Sequence, residues 1–108
     1  MKIAVESNDG VTIKSPFIRS KGYLVFNVDE SSITGYEYRE SDDGETRKIR
    51  SKPLLDDCGA IISRGMDRTN LKELKEKGID VFITFKTSAQ DALRVYLKEN
   101  LLNTNSIH

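Results

Sequence analysis

Cysteine, histidine and net charge are nearly missing from this 108-residue chain, and each shortage removes a class of function. Cys58 is the only cysteine, so no internal disulfide can form and no thiolate pair can hold a metal. The single histidine, His108, is the last residue. Together these exclude zinc fingers, Cys-His nucleophile pairs and Ser-His-Asp triads unless another chain contributes. Lysine plus arginine number 17 against 17 aspartates and glutamates, so no overall field gathers nucleic acid or an acidic membrane. No apolar run approaches a membrane span, and Met1-Lys2-Ile3-Ala4-Val5 turns polar too soon for a signal peptide. The expectation is a cytoplasmic protein with neither nucleic acid nor a membrane as partner.

What is present reads as one α/β domain over residues 1–102, with a polar, frayed tail over 103–108. Lys2 to Glu6 predicts a first strand ending in the turn-forming Ser7-Asn8-Asp9-Gly10. Tyr23 to Val28 and Ile33 to Glu40, separated by Asp29-Glu30-Ser31, predict a hairpin whose second strand is exposed. A charged stretch from Ser41 to Lys48 reads as a loop, and Ser51-Lys52-Pro53 as the start of a short helix with Leu54 and Leu55 inward. Cys58-Gly59-Ala60-Ile61-Ile62 has the small-and-apolar pattern of a strand covered on both faces, placed centrally in the sheet. A helix around Leu71 and Leu74 stops at Gly78, and Ile79 to Phe85 predicts a last, buried strand. Thr87 with Gln90 has capping-box spacing before a helix whose inner face is Ala89, Ala92, Leu93, Tyr96, Leu97 and Leu101. Right-handed crossovers then give a mixed five-stranded sheet of order 3-2-1-4-5, with strand 2 antiparallel and helices on its faces.

The opening Met-Lys-Ile-Ala-Val-Glu-Ser-Asn-Asp-Gly, the Ser15-Pro16-Phe17 loop and the Cys58-to-Met66 segment together resemble the dinitrogenase iron-molybdenum cofactor biosynthesis family, which includes NifX and the C-terminal part of NifB. The resemblance continues through Leu71 to Leu74 and Gly78-Ile79, nearly the whole chain. It implies a ribonuclease-H-like fold and a non-enzymatic role in nitrogen fixation, binding or carrying an iron-sulfur or iron-molybdenum cluster for nitrogenase or metal-cluster assembly proteins. Family members commonly carry a histidine in the first loop, where this chain reads Ser15-Pro16-Phe17-Ile18-Arg19-Ser20. Many read Gly-Met-Gly after the fourth strand, and here the stretch is Gly65-Met66-Asp67.

Parallel α/β sheets offer ligand sites at the carboxyl ends of their strands. Three loops should meet there. The first contributes Ser7, Asn8, Lys14 and Arg19; the second Ser63, Arg64, Gly65, Met66 and Arg68; the third Lys86, Thr87 and Ser88. Cations, hydroxyls and helix starts suit an anionic ligand such as a metal cluster held by charge and hydrogen bonds. The plainer reading is that these side chains only solvate their loops. Gly65 fits either a tight turn or close approach of a ligand, and Met66 either a soft metal contact or a gap-filler. Cys58 begins its strand, so it should lie about 15 Å from the three loops, as inert core, at ~3.3 Å per residue. Asp56 and Asp57 should sit at the opposite sheet edge from Glu6, which excludes a two-metal nuclease. A second function class remains: a protein-interaction or regulatory module without a cluster, using the hairpin edge and the charged stretch from Asp42 to Arg50.

Overall fold

The computed structural model describes residues 1–18, 20–30, 32–40 and 55–99. The expected short helix from Ser51, the charged stretch from Ser41 to Lys48, Arg19 and the tail over 103–108 lie outside the described residues.

Strands β1 (Lys2–Glu6), β2 (Gly22–Asp29), β3 (Ser32–Glu40), β4 (Ala60–Ser63) and β5 (Asp80–Ile83) form one sheet of order β3-β2-β1-β4-β5. The β1-β2 and β2-β3 pairs are antiparallel, and the β1-β4 and β4-β5 pairs are parallel, as expected. Helices α1 (Arg68–Glu76) and α2 (Ala89–Leu97) complete the element order. β1 is the middle strand, with the antiparallel hairpin on one side, and β4 is interior between β1 and β5, as the predicted order requires.

Alternation along β1 explains how one short strand serves two cores. Ile3 and Val5 join Leu24, Phe26, Ala60, Ile62 and the inner face of α2, while Ala4 joins Val25, Cys58, Ile61 and Ile79 on the other face. Ile3, Ala4 and Val5 are therefore completely buried, and the apolar run shows no polar alternation. The second face is partly covered by Leu55, Met66 and Leu74. Leu55 is followed by a turn that returns Cys58 N–H to Leu55 O at 3.0 Å, so the leucine is inward as its sequence suggests.

Both helices start on local chemistry, and α1 also stops on it. Asp67 caps α1 by accepting from Asn70 N–H at 2.9 Å. Gly78, at φ +82°, ends it, with Ile79 N–H returning to Leu74 O at 2.9 Å. α2 is capped by Ser88, which accepts from Asp91 N–H at 3.2 Å, one residue later than the Thr87-Gln90 spacing predicts. Strand β5 is also shorter and more exposed than its apolar composition suggests. It has a neighbour on one side only, α1 buries no residue completely, and Phe85 beyond its end is 90% exposed.

Candidate functional site

The carboxyl ends of β1, β4 and β5 lie at one end of the sheet, and three loops are tied together there. The loop after β1 is shaped by Asp9, whose carboxylate accepts from Val11 N–H at 2.8 Å, Thr12 N–H at 2.7 Å and the Thr12 hydroxyl at 2.7 Å. Those hydrogen bonds hold the Asp9 carboxyl well below the usual carboxylate range. Ser7 is fully buried, and its hydroxyl accepts from Gly10 N–H at 2.9 Å. Asn8 Oδ1 accepts from Lys21 N–H at 2.7 Å.

This loop then crosses to its neighbours. Ile13 N–H donates to Thr87 O at 2.8 Å and Ala89 N–H to Val11 O at 3.0 Å, joining it to the start of α2. Lys14 N–H returns to Glu6 O at 3.0 Å. Pro16 packs over the turn after β4, where a Cβ on Gly65 would come within 3.2 Å of Pro16 Cβ. Gly65 sits at φ +155°, a backbone that favours glycine, and a Cβ there would also press on Pro16.

Beneath the loops is a small polar floor. Ser63, fully buried at the end of β4, donates to Glu6 Oε1 at 2.7 Å, and its Oγ also lies 3.0 Å from both Gly65 N and Gly65 O. Lys14 Nζ stands 3.9 Å from Glu6 Oε1 and donates to Ser15 O at 3.0 Å. Burial raises the Glu6 carboxyl above its usual value, opposed by the Ser63 hydrogen bond and the Lys14 charge.

The residues singled out from sequence therefore divide by burial. Ser7, Lys14 and Ser63 spend their polar atoms inward, and Met66 packs on the second core beside Leu74. Gly65 gives its N–H to Ser63. Arg64 is half-buried, Arg68 and Thr87 are exposed, and Asn8 lies at the rim with its side chain on Lys21. Arg19 lies outside the described residues. An open hollow of about 560 Å³ beside the third loop is lined by Thr84, Phe85, Lys86, Thr87, Ser88 and Asp91.

Sequence reasoning placed Glu6 at this end but missed its hydrogen bond with Ser63, and missed Pro16 as the partner of Gly65. The pairing of Ile3 with Ala60 in a parallel register is what carries Glu6 to Ser63, and no local pattern reports that register.

Cys58 lies at the other end of the sheet, where Gly59 N–H donates to Lys2 O at 2.9 Å. It is 5% exposed, and burial, with the Asp57 charge, pushes its thiol up to about 11. Asp57 is held by Arg39 through paired hydrogen bonds of 2.7 and 2.9 Å. The acids do stand apart, as expected. Among the described residues no group of three or more His, Cys, Asp or Glu is placed to hold a metal ion. On the second and third loops the exposed or half-buried polar side chains include Arg64, Arg68, Lys86 and Thr87.

Solved structures of similar fold include a protein of Methanocaldococcus jannaschii provisionally described as a dinitrogenase. It is 17% identical, with 92% of this chain and 89% of that one covered at a TM-score of 0.71. A Thermotoga protein provisionally described as NifB is 16% identical, with 90% and 87% covered at 0.63. The apo form of the orange protein from Desulfovibrio gigas is 18% identical, with 94% and 88% covered at 0.60. At such identities the likeness shows the fold alone. No curated protein matches the chain significantly. Among the described residues, no helix is long and apolar enough to cross a membrane. The family model described as dinitrogenase iron-molybdenum cofactor matches residues 1–99, and the chain belongs to that family.

Proposed function

We propose that this protein is a non-enzymatic cytoplasmic carrier that holds an anionic iron-sulfur or iron-molybdenum cluster among the loops at the carboxyl ends of β1, β4 and β5. The observation that carries the reading is the convergence of those loops through the Ile13-Thr87 hydrogen bond and the Pro16-Gly65 contact, over a floor closed by Glu6 and Ser63. Membership of the family supports the identity of the cargo. The strand order fits the ribonuclease-H-like arrangement that the resemblance implies.

Arg64 and Arg68, with Lys86 from the third loop, supply the positive charge, and Asn8 and Thr87 line the rim. Ser7, Lys14 and Ser63 act as floor, holding the loops in place, and Met66 anchors the second loop to the core. Retention by charge leaves the cluster free to pass to nitrogenase or a metal-cluster assembly protein without breaking metal-protein bonds.

Anaerobic titration with a synthetic thiolate-capped iron-sulfur cluster, followed by gel filtration and metal analysis, tests the reading. Stoichiometric metal should elute with the protein. Arg64→Ala should weaken retention roughly tenfold, since a charge-assisted hydrogen bond contributes about 1.5 kcal/mol or more, while Cys58→Ala should leave it unchanged. Metal-free protein after filtration would refute the carrier. It would select the interaction-module alternative, which draws on exposed Ile33 and Tyr36 of edge strand β3.

A further inference from the structure

We propose that Glu6, Ser63 and Gly65 form a proton relay that sets the hydrogen bonding of the turn after β4, so that an anionic cargo binds with uptake of one proton at Glu6. The cargo half of this proposal rests on the carrier reading above; the relay itself does not.

Proton counting at Ser63 is the starting point. Its hydroxyl carries one proton, yet two acceptors are within reach, Glu6 Oε1 at 2.7 Å and Gly65 O at 3.0 Å. With Glu6 ionised, the shorter, charge-assisted bond takes that proton, and Gly65 O goes without it. When Glu6 is protonated, its own O–H donates to Ser63 Oγ, and the serine proton turns to Gly65 O. Gly65 N–H donates to Ser63 Oγ in both states. One proton gained at Glu6 therefore adds one hydrogen bond at Gly65 and breaks none. Pro16 lies against Gly65, so the first loop feels the change.

The surroundings allow Glu6 to titrate. The charged neighbour in contact is Lys14, 3.9 Å away and itself tied to Ser15 O. Tyr23 faces Glu6 across the β1-β2 pair, and burial followed by the Glu6 charge raises its phenol, so it stays neutral. Arg39, in register with Tyr23 one strand further, is engaged by Asp57 and Glu37. Glu6 is 7% exposed, so its ionised form is poorly hydrated and repels a second anion placed above the floor. Protonation removes that repulsion, and by linkage an anion that prefers the neutral floor binds with proton uptake.

Two measurements decide it. NMR titration of the unliganded full chain from pH 4 to pH 8 should give the Glu6 carboxyl carbon and the Gly65 amide one shared midpoint above 4.5, the usual glutamate value. Ser63→Ala should abolish the Gly65 response while Glu6 still titrates. A Gly65 signal that ignores Glu6, or a Glu6 midpoint at or below the usual value, overturns the relay. In the second measurement, affinity for the synthetic iron-sulfur cluster should weaken by up to tenfold per pH unit above that midpoint in the wild type and stay flat in Glu6→Gln. Equal slopes in the two proteins overturn the coupling. If no cluster binds at any pH, the carrier reading fails, and the NMR titration still decides the relay.

Discussion

Replacing Gly22 with alanine should be the most damaging single-methyl change among the described glycines. A Cβ there would lie 2.5 Å from Tyr38 Oη, 2.7 Å from Tyr38 Cζ and 2.6 Å from Arg39 O. The tyrosine ring can swing aside, but only by releasing its hydrogen bond to Ser7 O, 3.0 Å long, at a cost of about 1 kcal/mol. Arg39 O cannot swing: it is backbone within the β2-β3 ladder, where Tyr23 pairs with Arg39 and Gly22 with Glu40. Overpacking against backbone adds about 1 to 3 kcal/mol. Against this, alanine loses less chain entropy than glycine on folding, a gain of about 0.5 to 1 kcal/mol. The net expectation is a loss of about 1 to 3.5 kcal/mol, which for a chain of this size lowers Tm by roughly 5 to 25 °C. Gly35 is the internal control. It lies in the same hairpin, and a Cβ there would meet only Asn27 Nδ2 at 3.7 Å, an ordinary contact, so Gly35→Ala should be neutral or slightly stabilising. Urea unfolding of both variants, with unchanged m-values, measures the difference. Stabilities within 0.5 kcal/mol of each other would refute the reasoning, as ~0.5 kcal/mol is the ordinary spread of neutral surface changes.

Other expectations follow from titrating and reactive groups. Cys58, with its thiol near 11, should react with a disulfide reagent at pH 8 only slowly in the folded protein, roughly one thiol in a thousand being ionised, and rapidly once urea unfolds the chain; equal rates would contradict its burial. Asp57 is lowered from 3.8 to about 2, chiefly by its hydrogen bonds to Arg39, so its contribution to stability is present above pH 3.8 and lost as pH falls towards 2. Asp57→Asn should accordingly flatten the acid limb of a stability-pH curve, by a small amount because the pair is half-exposed. Glu6 carries the opposite sign. Its raised native value means that ionisation opposes folding, so stability should rise as pH falls through that value towards 4.5, and Glu6→Gln should remove the rise. A wild-type curve without that rise would count against a buried, titrating Glu6.

Among the described residues, sequence alone determined the strands, the two helices and their order along the chain, and with them the family, because those rest on local signals. Asp67, Gly78 and the apolar stripe from Ala89 to Leu97 act through neighbours a few residues away, and the family motifs are written along the chain. The three loops of the site were equally legible, since a parallel sheet must bring its carboxyl ends together. Tertiary structure alone decided which side chains in those loops remain outward. Ser7, Lys14 and Ser63 look like free polar residues in sequence, yet packing across distances of up to 57 positions turns them into a floor. The same long-range register pairs Glu6 with Ser63 and sets Pro16 on Gly65. Such contacts depend on how strands stack side by side, and a pattern of period two or 3.6 carries no record of the neighbour it will meet.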